Sequence, residues 1–262
     1  MALTSPIDMF SRRTPRIGSI LFVTALLAAV AMSAADAQTA TPTLAAFSTA
    51  TGTGPPVAWR AVGLPPGKAP LAQMDIVALD GSRVLRLQTD ASYGTLVHAV
   101  DGWTPDATST LQWRWRLEQP VAGADLRRKE GDDAALKVCV MFDLPLEKVP
   151  FIERSLLRLA RGVSGESLPA ATVCYVWDTS LPAGTVLANA YSKRVRFLVV
   201  DGAAEAPGRW RTQQRRIQAD FLRLFGDESD TVPPVLAIAV GADADNTGAR
   251  SLAYIADIRL HP

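Results

Sequence analysis

The chain has 262 residues, 48% of them hydrophobic, with 27 basic and 26 acidic side chains. This length and apolar fraction suit one large domain with its own core and exclude a disordered chain. The near-zero net charge argues against a nucleic-acid partner, whose binding rests on neutralising phosphates, and against charge-driven adhesion of the whole chain to an anionic membrane.

Arg12, Arg13 and Arg16 lead into an almost unbroken apolar run over residues 17–32, and Ala35-Asp36-Ala37 supplies the small-x-small pattern of a signal-peptidase site. Residues 1–37 therefore read as a secretory signal peptide, which places the mature chain in the periplasm or outside the cell. An uncleaved anchor is the alternative, with an apolar run marginal for a span of about 20 residues. Removing residues 1–37 of 262 leaves 225 residues, with 24 basic and 24 acidic side chains, and no further apolar run of spanning length. Residues 38–56 are rich in Ala, Thr, Gly and Pro and predict a flexible lead-in segment, with Leu44 and Phe47 docking at its end.

Residues 57–262 predict one all-β domain. Short strands over 57–62, 74–79, 83–89 and 93–100 are separated by breakers such as Asp80-Gly81 and Asp101-Gly102. Residues 111–117 alternate cleanly, with Leu111, Trp113, Trp115 and Leu117 on one face and Gln112, Arg114 and Arg116 on the other. Residues 134–143 alternate likewise, so Lys137, Cys139, Met141 and Asp143 share a face. Residues 146–161 instead place Val149, Ile152, Leu156, Leu159 and Ala160 at helical spacing. Strands follow at 172–177 and 195–200, then a second helix over 212–225, a wholly apolar run at 235–240 suited to a central strand, and a last strand over 251–260. The pattern predicts a jelly-roll-like antiparallel β-sandwich with two short helical insertions that pack on the sheets or cover an edge.

The order of motifs resembles the bacterial exported proteins grouped as domain of unknown function 3047, from about Trp59 to the C-terminus. The resemblance rests on Trp113-x-Trp115, on Asp125 with Lys129-Glu130-Gly131-Asp132-Asp133, and on Val140-Met141-Phe142-Asp143. It continues through Tyr175-Val176-Trp177, Trp210, Asp220 with Phe225-Gly226, and Asp243-Ala244-Asp245-Asn246-Thr247-Gly248. It implies an exported domain and supports the sandwich, and it implies no activity. Cys139 and Cys174 depart from the family pattern.

Three constellations carry candidate chemistry. Asp132 and Asp133 precede one strand while Asp243, Asp245 and Asn246 follow another, so antiparallel pairing brings both loops to one end of the sandwich. Such carboxylates bind a structural calcium through oxygen ligands, or they cap their loops by accepting backbone N–H groups. The Asp243–Gly248 run begins like a calcium loop, but Tyr254 stands where a bidentate Glu is required. The second constellation is the polar face of Arg114, Arg116, Lys137 and Asp143, which either grips an anionic or hydroxyl-rich ligand or is an ordinary solvated face. The third is aromatic: Tyr175 and Trp177 share a strand face and either stack on sugar rings or fill the core. Cys139 and Cys174 are the only cysteines; export permits a disulfide between them, and two buried thiols are the alternative.

No zinc-ligand spacing, nucleophile elbow or phosphate cradle is present in the sequence. A glycosidase needs only two carboxylates, for which Asp132 with Asp143 or Asp245 are the candidates. The leading expectation is a non-catalytic binding module for a carbohydrate or other envelope component, without a cofactor beyond the possible calcium. The alternatives are a glycan-acting hydrolase or lyase using loop carboxylates, and a structural envelope protein with a calcium-stabilised loop pair.

Overall fold

The computed structural model describes residues 40–164 and 168–262, without the side chains of residues 101, 163 and 164. The expected signal peptide lies outside the described residues. The described chain is an all-β sandwich of two sheets with two helices inserted between strands. The strands are β1 (Arg60–Val62), β2 (Gln73–Leu79), β3 (Ser82–Asp90), β4 (Tyr93–Trp103), β5 (Thr110–Gln119), β6 (Lys137–Phe142) and β7 (Ala171–Trp177). They continue with β8 (Val186–Ala188), β9 (Val195–Asp201), β10 (Arg211–Arg216), β11 (Val235–Asp243), β12 (Arg250–Ile255) and β13 (Arg259–His261). The helices are α1 (Phe151–Ser164) and α2 (Ile217–Phe225). One sheet runs β1-β4-β11-β6-β7-β9-β8, and the other β10-β5-β12-β3-β2 with β13 also on β5. Pairing is antiparallel except between β7 and β9, a parallel pair that the all-antiparallel expectation did not contain.

The alternation read in β5 and β6 builds the core between the sheets. Trp113, Trp115 and Leu117 from one sheet meet Val138, Val140, Phe142 and Tyr175 from the other. The seven-stranded sheet is also covered on its outer face, where Leu126 and Leu181 close over Cys139, Cys174, Phe197 and Val199. Burial on both faces explains why β7 and β11 read as continuous apolar runs. Cys139 and Cys174 face each other across β6 and β7 and are bonded, with Cα atoms 4.0 Å apart.

Leu44 and Phe47 at the end of the lead-in segment are both buried. The lead-in segment is docked over residues 44–49: Phe47 is fully buried against Trp59, the Ser48 N–H and hydroxyl donate to Asp257, and His98 Nε2 accepts from the Ala45 N–H at 3.1 Å. Three elements beyond it differ from the sequence expectation. The expected helix over 212–225 begins as strand β10. Its inward side chains are polar, which hid the strand period, and buried carboxylates satisfy them. Arg211 and Gln213 donate to Asp201, and Arg215 donates to Asp220. The last strand is split, because the inward residues change parity from Ser251, Ala253 and Ile255 to Ile258, and the chain steps out at Ala256–Asp257. Finally, α1 forms, but it does not lay its apolar stripe on the sheets. Leu157 is buried, whereas Ile152, Leu156 and Leu159 face outward.

Candidate functional site

The two acidic loops do meet. In the antiparallel pairing of β6 with β11, Gly241 stands opposite Lys137, so the chain before β6 and the chain after β11 emerge side by side. The Asp243 N–H donates to the Ala134 carbonyl at 2.9 Å, and Asp243 Oδ1 accepts the Ala134 N–H at 2.7 Å. Asp133 takes the Thr247 N–H at 2.7 Å, the Thr247 hydroxyl at 2.6 Å, and the Asn246 N–H and side-chain amide at 3.2 Å each. Within the first loop Gly131 packs closely on Asp125, where a Cβ would lie 2.8 Å from the Asp125 nitrogen. Asp133 and Asp243 therefore act as clamps between loops.

Lys137 belongs to this cluster. It is nearly buried, its ammonium pairs with Asp243, and it lies 5.0 Å from the centre of the Tyr93 ring. Burial works against that ammonium, but the charge and hydrogen bond of Asp243 together with Tyr93 and Asp132 outweigh it and hold the lysine above its usual pKa. Asp132 receives the Asn189 amide on one oxygen, and its other oxygen is buried without a partner. Burial, and then the neighbouring Asp243 charge, push the Asp132 carboxyl up to about 6. Asp245 is raised by burial and by Asp243 and Asp133. The exposed Tyr191 closes the rim, its hydroxyl 2.7 Å from Asn246 Oδ1. Carboxylate oxygens of Asp133, Asp243 and Asp245 lie within 4.8 Å of one another. Chemically this is an oxygen-rich, net-negative cluster holding one carboxyl that exchanges its proton near neutrality. Asn189 and Tyr191 were not found from sequence, because the β7–β9 crossover that carries them has no periodic signal.

The polar face expected of Arg114, Arg116, Lys137 and Asp143 is not one face. β5 and β6 lie in different sheets, so the arginines and Lys137 are on separate surfaces. Asp143 is exposed at the opposite end of β6 from the acidic loops, about 20 Å along the strand from Lys137. That separation removes Asp132 with Asp143 as a carboxylate pair and leaves Asp132 with Asp245. Tyr175 and Trp177 are likewise corrected. They are buried between the sheets, with ring centres 5.2 Å from Trp113 and 6.1 Å from Trp115 respectively, so no sugar reaches them.

The two arginines also have different surroundings. Arg116 is committed to Glu118 at 2.7 Å and to Asp80 at 3.4 Å. Arg114 is exposed and makes no ion pair among the described residues; its guanidinium lies 4.7 Å from the centre of the Trp210 ring. It opens onto a cavity of about 370 Å³ on the outer side of the six-stranded sheet. The step in the chain at Ala256–Asp257 helps to form that cavity, and Arg83, Gln112, Thr212 and Arg259 line it with Arg114. Its one carboxylate, Asp257, is already engaged by Ser48 and by Arg259 at 3.2 Å. The cavity therefore presents guanidinium groups and neutral hydrogen-bonding side chains. Arg83 and Arg259 were missed from sequence; the parity change between Ile255 and Ile258 was the available signal.

The family described as "Protein of unknown function (DUF3047)" matches residues 57–259. No curated protein matches the chain. Among solved structures, similarity is found to the K1 cleaved adhesin domain of Lys-gingipain from Porphyromonas gingivalis W83. There the identity is 9%, the TM-score 0.36, and the match covers 84% of this chain and 98% of that one. The glycoside hydrolase domain of Endo-D from Streptococcus pneumoniae R6 matches at 8% identity and TM-score 0.34, over 77% of this chain and 21% of that one. The cellulose-induced protein Cip1 matches at 9% identity and TM-score 0.32, over 78% and 90%. Likeness at this level carries no functional argument.

Proposed function

We propose that this chain, which belongs to the DUF3047 family, is an exported binding module for an anionic, hydroxyl-rich glycan of the cell envelope, held in the arginine-lined cavity of the six-stranded sheet. The observation that carries the reading is the composition of that cavity: Arg83, Arg114 and Arg259 surround about 370 Å³, and the single lining carboxylate is engaged by Ser48 and Arg259. Guanidinium forks suit a uronate or phosphate group. Gln112, Ser82 and Thr212 offer partners for hydroxyls, and the volume is that of a small-ligand site. The test is calorimetric titration of uronate-containing oligosaccharides, with neutral oligosaccharides as control. The expected result is binding of the acidic series alone, weakened about tenfold or more by Arg114→Ala with Arg259→Ala. Equal affinity of the double variant and the parent would remove the cavity from consideration.

A second reading, a calcium-stabilised loop pair, has its own support. Three carboxylates converge within 4.8 Å and Asp132 keeps a buried oxygen without a partner. An ion there would take oxygen ligands and offset the mutual repulsion of Asp133, Asp243 and Asp245. Calcium is then expected to raise the thermal midpoint, and a chelator to lower it. A midpoint unaffected by both counts against the ion and leaves the glycan cavity untouched.

A further inference from the structure

The inward-out packing of α1 is not used by either polar site. Over Phe151–Ser164 the side chains of Phe151, Ile152, Leu156 and Leu159 are 74%, 72%, 57% and 65% exposed, while Leu157 is buried. At 3.6 residues per turn, Ile152, Leu156 and Leu159 form one stripe on the outward side, with Phe151 at its margin. The helix is fixed in this orientation by its polar side. Glu153 lies 3.8 Å from Arg194, Arg161 donates to the Leu168 carbonyl at 2.8 Å, and Arg154 reaches the Leu146 carbonyl at 3.5 Å. Arg194 in turn is held bidentately by Glu228 at 2.6 Å. The sandwich therefore presents this stripe to its surroundings by construction.

We propose that α1 seats the protein on an anionic phospholipid surface, lying in the plane of the interface with its apolar stripe in the lipid. Two observations select this occupant. The first is charge: the basic residues of the helix are Arg154, Arg158 and Arg161, and its only acidic residue, Glu153, faces the protein beside Arg194. Arg158 is exposed, next to Phe151 on the helix margin. Arg154 and Arg161 are half-buried and turned onto the carbonyls of Leu146 and Leu168, so Arg158 is the exposed charge beside the stripe, and its sign is complementary to lipid with anionic headgroups. The second is area. The four side chains expose on the order of 500 Å², which marks an interaction patch on a monomer but falls short of the roughly 800 Å² per partner of a stable protein interface. A convex helix of 14 residues offers an acyl layer what it cannot offer a flat protein. The near-neutral total charge of the chain does not oppose this, because electrostatic attraction decays within about 10 Å at moderate salt and the helix presents its own local field. Among the described residues no helix is long and apolar enough to cross a membrane, so the association is with the surface.

The experiment is flotation of the purified protein with vesicles of phosphatidylglycerol and phosphatidylethanolamine, and with vesicles of phosphatidylcholine alone, in low and high salt. The parent is expected to float with the anionic vesicles, less so in high salt, and to remain unbound with phosphatidylcholine. Ile152→Ser with Leu156→Ser is expected to reduce the bound fraction by about tenfold in apparent affinity, and Arg158→Glu to reduce binding to anionic vesicles only. These side chains are exposed, so the thermal midpoint should not fall, and a melt confirms that each variant is folded. Equal flotation of parent and double variant overturns the proposal. So does parent binding to phosphatidylcholine that is equal to its anionic binding. Sedimentation showing a dimer that the double variant abolishes, with no vesicle binding by the parent, assigns the stripe to a second copy instead and also overturns it.

Discussion

Replacing Asp132 by Asn is expected to stabilise the protein, and to do so increasingly as pH rises. The carboxyl is 6% exposed and has one partnerless oxygen. Burial and the Asp243 charge lift it from 3.8 to about 6. Below pH 3.8 both folded and unfolded chains hold the proton and the site is neutral to stability. Between 3.8 and 6 the folded chain holds it more tightly, so stability declines as pH rises through that window, and above 6 the whole penalty is present. Two logarithmic units of affinity correspond to about 3 kcal/mol. The amide removes the charge while keeping an oxygen for the Asn189 donor. The gain should therefore grow from about 1 kcal/mol near pH 4.5 to about 3 kcal/mol near pH 7.5. Urea unfolding of parent and variant at the two pH values, with chelator present throughout, measures this difference directly. A difference between the two proteins that is the same at both pH values would refute the reasoning, because it would mean that Asp132 titrates alike in the folded and unfolded chains.

Two further predictions concern what holds the site in place. The Cys139–Cys174 bond closes a loop with a sequence separation of 35, for which loop-closure entropy gives roughly 4 kcal/mol. The double Cys→Ala variant should lose about that much in urea unfolding under oxidising conditions and show no response to reductant. Trp115→Phe removes the indole N–H that donates to the fully buried Asp201 at 2.6 Å. It should cost about 1–3 kcal/mol for the weakened satisfaction of a buried carboxylate, read from thermal or urea unfolding.

The sequence by itself determined the β-sandwich and the alternating strands at its centre. Period-two alternation in residues 111–117 follows from burial of one face of β5, and the alternations in 111–117 and 134–143 both carry through to Trp113, Trp115, Val138 and Val140 in the core. The meeting of the Asp132 and Asp243 loops was likewise legible, since antiparallel neighbours must bring one strand's start beside the other's end. What only the tertiary structure decided was which sheet each strand enters and what each polar side chain faces. Lys137 alternates in phase with an outward residue, yet it is buried beneath Tyr93 because a second apolar layer covers that face. Arg211, Gln213 and Arg215 read as solvated, yet they point inward because Asp201 and Asp220, 5 to 12 residues away in the chain, are there to pair with them. Tyr175 and Trp177 pack on tryptophans from the other sheet, and α1 turns its apolar side out because Glu153 finds Arg194 underneath. Periodicity records that one side of an element differs from the other. Which side is inside depends on contacts between residues far apart in the chain, and those arise only when the sheets close.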